Sequence, residues 1–274
     1  MSRERRIPSS RLGRFSQLGR LAGGMVGGMV GEGARQLASG NRPALGDLLL
    51  TPANAKRLAE RLSEMRGAAM KIGQLLSMDS GQILPPQLGE ILTRLREDAH
   101  RMPLGQVAQV LDESLGKQWK QAFERFDFTP IAAASIGQVH KARLKDGRDV
   151  ALKLQYPGIE ESIDSDIRNV AMLLKLSGVL PDGLDLAPLL DEARQQLYHE
   201  ADYVHEAELL QRFHAFLEKD ERFVVPAVVE ELSSKRILTM EFLHGEPIET
   251  IETLETARRN EAARRLTELA FREV

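Results

Sequence analysis

The chain of 274 residues has no cysteine, one tryptophan and three tyrosines. Without thiols there is no disulfide, no thiolate nucleophile and no zinc–thiolate centre, a composition that fits a reducing compartment. No run of about 18 apolar residues occurs, so no transmembrane helix is encoded. The longest candidate, Leu21 to Val30, is too short. Charge of one sign is also missing: 37 Lys and Arg against 40 Asp and Glu leave a net charge of −3, which argues against wholesale nucleic-acid binding. His199, His205 and His214 are not followed by a histidine four residues on, so the H-E-x-x-H zinc arrangement is lacking and a zinc site is excluded.

What is present is ordinary for a soluble core of one or two domains, with 42% hydrophobic and 28% charged residues. The basic surplus is local: Arg3, Arg5, Arg6, Arg11, Arg14 and Arg20 stand against Glu4 alone. Glycines at 23, 27 and 31, and at 24 and 28, then repeat at the four-residue spacing of close helix contacts. Peripheral membrane contact or a close helix pair is one reading of this start, and a partly helical leader is the other. An arginine- and serine-rich, acid-poor start also suits an organellar transit peptide, but no cleavage signal stands out. The expected location is cytoplasmic, with peripheral contact at the inner membrane.

Helical periodicity begins after Thr51, a cap with Pro52 in the first turn. Leu58, Leu62, Met65, Ala69, Ile72 and Leu76 form one buried face, with Lys71 beside it. Gly67 and Ala68, one turn before Lys71, leave a shallow surface that another backbone can approach. Pro85-Pro86 precedes a second amphipathic helix marked by Leu88, Ile91, Leu92 and Leu95. Pro103 opens a third, with Val107, Val110, Leu111 and Leu115 inward and Gly116 as terminator. Trp119, Phe123, Phe126 and Phe128 are expected in a core.

The stretch from Thr129 to Pro157 is predicted to form three short strands. Pro130 to Ala134 leads into a small-residue turn, Ile136 to Leu144 returns, Asp146-Gly147 makes a hairpin, and Asp149 to Gln155 carries Lys153. This is the layout of a kinase amino-terminal lobe, in which a hairpin covers nucleotide phosphates and a strand lysine bridges them and pairs with a helix glutamate. Here the cover is alanine, whose methyl disfavours positive φ and occupies space that glycine leaves for phosphate. The partner acid should come from a helical region over Leu184 to Glu218, with Leu197, Val204, Ala207, Leu210 and Phe213 inward. Glu200, Asp202 and Glu206 are the candidates. On one continuous helix residues 202 and 206 share a face and 200 lies about 120° from 206, so Glu206 and Glu200 can serve different cations. Val224 to Pro226 and Val228 to Glu230 read as a strand, Ser233 to Lys235 as a turn, and Ile237 to Leu243 as the next strand, with helices from Ile248 and from Arg258.

Four motifs carry a resemblance: Lys71-Ile72-Gly73-Gln74; Ala132-Ala133-Ala134-Ser135-Ile136-Gly137-Gln138-Val139-His140; Val150-Ala151-Leu152-Lys153; and Glu200-Ala201-Asp202-Tyr203. In this order and spacing they resemble the UbiB (AarF-domain, ubiquinone-associated) family of atypical kinases. The resemblance implies an α+β fold: a protein-kinase-like N-lobe of antiparallel sheet and helices, an amino-terminal all-helical extension, and a C-lobe that is incomplete here. The expected divisions are a basic, glycine-rich leader over 1–45, the helical extension with the Lys-x-Gly-Gln motif over 46–118, the N-lobe over 119–243, and the hinge exit with the first C-lobe helices over 244–274. It further implies that Ala132 to Val139 cover a nucleotide, ATP or ADP, and that Lys153 contacts its phosphates. Ser135 and Gly137 can add a hydroxyl or backbone donors. Glu206 is assigned as the ion-pair partner of Lys153, and Glu200 with Asp202 as partners of the helix bearing Lys71, Gly73 and Gln74; exchange of Glu200 and Glu206 stays open. Met240 would guard the rear of the adenine slot, and backbone groups of Glu241, Phe242 and Leu243 would bond the adenine edge.

The chain departs from a complete kinase. No His-x-Asp occurs, and Asp127-Phe128 is followed by Thr129. Magnesium is therefore expected only with ligands of the missing C-lobe, and the chain alone is expected to perform no appreciable phosphoryl transfer. The implied function is that of an ATP-binding atypical kinase or ATPase supporting isoprenoid-quinone biosynthesis or lipid homeostasis. Its implied partners are a nucleotide, a membrane surface or isoprenoid lipid, and quinone-biosynthesis proteins. Nucleic acid is not among them, because the arginine-rich start lacks stacking aromatics. The alternative is a noncatalytic lipid- or partner-binding regulatory protein with a kinase-like lobe.

Overall fold

A computed structural model describes residues 62–63, 65–79, 101–177 and 185–272. The basic and glycine-rich start, the helix start at Thr51-Pro52, Leu58, and the segment with Pro85-Pro86 and Leu88 to Leu95 lie outside them. The chain divides into two compact units between Glu241 and Phe242.

The first unit is built on an antiparallel sheet in the order β1 (Phe123–Phe126), β3 (Gly137–Leu144), β4 (Asp149–Gln155), β5 (Ile237–Glu241), with the two-residue β2 (Ala132–Ala133) paired to β3. Gly147, at φ +92°, makes the β3–β4 turn, which Asp146 closes by accepting from the Arg148 N–H at 3.0 Å. That conformation is one an L side chain rarely adopts, hence glycine. Alternation along β4 sends Val150, Leu152 and Leu154 to one face and Lys153 to the other. Lys153 lies opposite Val139 on β3 and Leu238 on β5.

One sheet face packs under α2 (Leu104–Leu115), whose Val107, Val110 and Leu111 are buried and whose end is set by Gly116 at φ +81°. Trp119 joins this core in a short 3-10 turn, Trp119–Ala122, and meets the rings of Phe123 and Phe126 edge-on at 5.9 and 5.4 Å. The other core gathers α1 (Arg66–Asp79), α3 (Ile159–Ser177) and α4 (Ala187–Ala201) around Ile136, Tyr203 and Leu238. Leu62, Met65, Ala69, Ile72 and Leu76 are all buried there, on the three- and four-residue spacing that defines one helix face.

Several sequence expectations are corrected. The helical region over 184–218 is two helices, α4 and α5 (Tyr203–Leu217), separated at Asp202, where φ −95° and ψ 85° are not helical. Val204 is therefore exposed rather than inward. Residues 224–230 form no strand; Val228 makes a single bridge to Met240 before a 3-10 turn at Glu230–Leu232. The strand expected to run to Leu243 ends at Glu241, and the first strand of the hairpin shrinks from Pro130–Ala134 to β2. Two elements were not anticipated: β1, and α3, whose Ile163, Ile167, Val170 and Leu174 fill the helical core. The second unit holds a 3-10 turn, Ile248–Thr253, and α6 (Thr256–Arg272), on which Glu261 accepts from Arg264 and Arg265.

A buried polar thread ties α2's entry to the sheet. His140 Nδ1 lies 2.9 Å from the Asp127 carbonyl, and a carbonyl only accepts, so this nitrogen carries the proton. His140 Nε2 then accepts from the Gln138 amide at 2.9 Å, and Gln138 Oε1 accepts from the Met102 N–H at 3.0 Å. Every atom of the chain is matched by the neutral imidazole. Burial lowers the His140 pKa below its ordinary 6.5, against smaller raising effects of Asp127.

Because the unfolded chain then binds a proton that the folded one refuses, stability is full above pH 6.5 and falls as pH drops through the lowered value. The thermal midpoint should decline from pH 7 to pH 5, and decline less in His140→Gln; equal declines would remove His140 from this role. A second expectation concerns Gly137, where an added methyl would sit 2.2 Å from the backbone oxygen of Leu154. Gly137→Ala should cost about 2 kcal/mol or more in urea denaturation, since backbone cannot rotate aside as a side chain can.

Candidate functional site

The cleft is made where the small-residue turn between β2 and β3 meets the junction of α4 and α5. Ser135, Lys153, His199, Glu200, His205, Glu206 and Leu209 line an open hollow of about 630 Å³, a volume within the ordinary range of small-molecule sites. Lys153 reaches it because strand alternation turns its side chain away from the α2 core. Its Nζ donates to both carboxylate oxygens of Glu206, each at 2.7 Å, and lies 4.8 Å from the centre of the Tyr203 ring. The amine side chain is one-fifth exposed.

A second ion pair lies behind the turn. Lys71, on α1, pairs with Glu200, at the end of α4, and Glu200 also accepts from the Ser135 hydroxyl at 2.7 Å. Of the two pairings the sequence left open, the structure contains Lys153 with Glu206 and Lys71 with Glu200. The reason differs from the sequence argument: the acids are not on one helix but on either side of a break. Asp202 does not join Lys71. Its carboxylate caps α5 by accepting from the His205 N–H at 3.1 Å, which uses a helix-start donor that has no partner within the helix.

The alanine-rich turn is held on three sides. The Ala134 N–H donates to the Gly137 carbonyl at 2.9 Å, and the Tyr156 N–H donates to the Ile136 carbonyl at 2.9 Å. Ile136 is buried against Gly67, where an added Cβ would approach its Cγ2 at 2.9 Å. The smallness of residue 67 thus lets α1 press onto the turn. Ala132 and Ala133 are exposed, Val139 is partly buried, and Gln138 is turned into the α2 core. Ile136 and Gln138 therefore do not face the cleft. On α1, Gly73 is buried and Gln74 is exposed. Met240 lies on β5 opposite Ala151, and the Glu241 N–H is taken by the Ala227 carbonyl at 2.8 Å. Phe242 and Leu243 belong to the second unit, where Phe242 meets His244 edge-on at 5.0 Å.

Sequence reasoning passed over three residues here. Tyr203 is fully buried beneath Lys153, and its position three before Glu206 was the available signal. His199 and His205 were weighed only as metal ligands, yet both line the cleft, with ring centroids 6.2 Å apart. Among the described residues no three His, Asp or Glu side chains converge as a metal requires.

Comparison with known proteins places these features in a family. Residues 94–274 match the ABC1 atypical kinase-like domain. The chain is 42% identical over 277 residues to the atypical kinase COQ8B, mitochondrial, of Danio rerio, covering 100% of this chain and 44% of that protein. It is 41% identical over 268 residues to the atypical kinase COQ8, mitochondrial, of Saccharomyces cerevisiae, covering 98% and 54%. The chain thus spans about half the length of the curated relatives it matches. A solved structure, the Rv3197–erythromycin complex from Mycobacterium tuberculosis, is 36% identical, covers 73% of this chain and 50% of that one, and gives a TM-score of 0.46.

The Lys71–Glu200 pair is largely shielded, its side chains 12% and 32% exposed, so the two charges should be energetically coupled. A double-mutant cycle with Lys71→Met and Glu200→Gln should return about 1–2 kcal/mol of coupling in urea denaturation. Additive effects would show that the contact contributes nothing to the fold.

Proposed function

Because the chain belongs to the ABC1 atypical kinase-like family, we propose that it is the nucleotide-binding half of an atypical kinase or ATPase of the UbiB type, with ATP or ADP held against Lys153. The observation that carries this reading is the Lys153–Glu206 pair at the cleft: an amine bonded at 2.7 Å to a carboxylate on one side and open to the cleft on the other. A phosphate oxygen supplies the negative charge that such an amine can accept while keeping its hold on Glu206.

The residues present fit a nucleotide. The cleft has the volume, the cation lies beneath the turn, and Gly137 permits the close backbone approach on which the turn is built. When bound, the nucleotide supplies the transferable phosphoryl group. The chain's own part is to hold it: Lys153 neutralises phosphate charge, Glu206 keeps the amine in place, and the turn covers the site. Glu200 is committed to Lys71 and Ser135, so it is not free to act as a general base. Among the described residues no three His, Asp or Glu side chains converge to hold magnesium.

We infer that the chain serves isoprenoid-quinone biosynthesis or lipid homeostasis. The support is the four-motif resemblance together with relatives named as COQ8 atypical kinases. No described helix is long and apolar enough to cross a membrane.

Titration with ATP tests the reading. Lys153→Ala should weaken binding by about tenfold or more, the loss expected when a charged hydrogen bond to phosphate is removed. Equal affinity in wild type and variant would take Lys153 out of the site.

A further inference from the structure

We propose that Tyr203 is a positioning residue for the phosphate-facing amine of Lys153, its ring the floor on which that amine rests. The proposal builds on the nucleotide reading above and assigns a role that the ion pair alone does not explain. Glu206 holds the amine through its carboxylate, but a carboxylate on a flexible three-bond stem leaves a lysine free to swing. Tyr203 removes that freedom. It is the first residue of α5, directly after the Asp202 cap, and stands one turn before Glu206, so both face the same way. The ring lies 4.8 Å from Nζ while the carboxylate oxygens lie at 2.7 Å. One helix turn therefore grips one amine from two directions and leaves a third open to the cleft.

The tyrosine itself cannot adjust. It is 0% exposed and is packed within the helical core. Its hydroxyl has no hydrogen-bond partner among the described residues and sits at Gly137, where an added Cβ would come within 3.1 Å of it. Burial first, then the nearby Glu206 and Glu200 carboxylates, push phenol ionisation well above its ordinary range, so the residue stays neutral and takes no part in proton transfer. With a neutral and unpartnered hydroxyl, what Tyr203 offers Lys153 is the negative face of its ring. The hydroxyl lies on the other side, beside Gly137.

The test separates ring from hydroxyl and placement from binding. ATP affinity is measured for wild type, Tyr203→Phe and Tyr203→Leu, and the Lys153 ε-methylene resonances are recorded by lysine-labelled NMR. Phe keeps the ring and should bind as wild type does, with those resonances displaced upfield by the ring current. Leu should weaken binding about tenfold and return the resonances to ordinary lysine positions. A folded Leu variant that binds as wild type, or wild-type resonances already at ordinary positions, would overturn the proposal. If the Leu variant fails to fold, Phe decides: retained affinity with the upfield displacement supports the ring's role, and lost affinity overturns it. Should wild type bind no ATP, the nucleotide reading fails by itself, while the ring-current displacement still decides where the amine rests.

Discussion

Between α4 and α5 the chain passes through Asp202, whose backbone leaves the helical region and whose carboxylate immediately restarts a helix by accepting from His205. This break determines the electrostatics of the cleft. Glu200 stands in the last turn of α4, where the partial negative charge of the helix end disfavours a carboxylate. It is stable there because Lys71 and the Ser135 hydroxyl offset that field. Glu206 stands in the first turn of α5, where the helix field favours it, and so it needs only one cation. A continuous helix would put both acids in mid-helix surroundings, where the helix field would not distinguish them.

The same break explains why two lysines can lie close to one cleft without mutual repulsion dominating it. Each amine is neutralised by its own acid. Lys71 is the better shielded of the two amines, 12% exposed against 20% for Lys153. Shielding strengthens a pair's coupling but raises the cost of separating it. The inner pair therefore suits a structural tie between α1, α4 and the turn. The outer pair, with the more exposed lysine and glutamate, leaves its amine accessible from the cleft.

Much of this was legible in the chain, for reasons that can be named. Val150-Ala151-Leu152-Lys153 alternates with period two, and that alone forces Lys153 off the face occupied by Val150 and Leu152. Gly147 and Gly116 mark a turn and a helix end where positive φ is required. The split at Asp202 was not legible, because Ala-Asp-Tyr-Val contains no proline or glycine, and aspartate ends or starts a helix by the hydrogen bond it finds. Strand β1 was obscured by its shortness: Phe123 and Phe126 look like core residues in any backbone. Over 224–230, valines with good strand propensity remain irregular: along the outer edge of β5 only Val228 makes a bridge before the chain turns at Glu230–Leu232. Tyr203 was missed because its part in the site comes from a lysine fifty residues earlier, and pattern within a helix says nothing about what lies above the ring.

Small residues carry the last step, and they act through distance rather than flexibility. In a glycine-rich phosphate loop the glycines free the backbone to move and to donate. Here Gly67 and Gly137 do the opposite: each lies where a side chain would collide, with Ile136 in one case and with the Leu154 carbonyl in the other. The turn they bracket is further fixed by Ser135 on Glu200 and by Ala134 on the Gly137 carbonyl. A turn held this way cannot move independently of the helices behind it. It is tied to α1 through Gly67 and to α4 through Glu200. Displacing α1, which also carries Lys71, must therefore move the cover and the inner ion pair together. Changes in α1 would reach the cleft through the contact of Gly67 with Ile136 and through the Glu200 carboxylate.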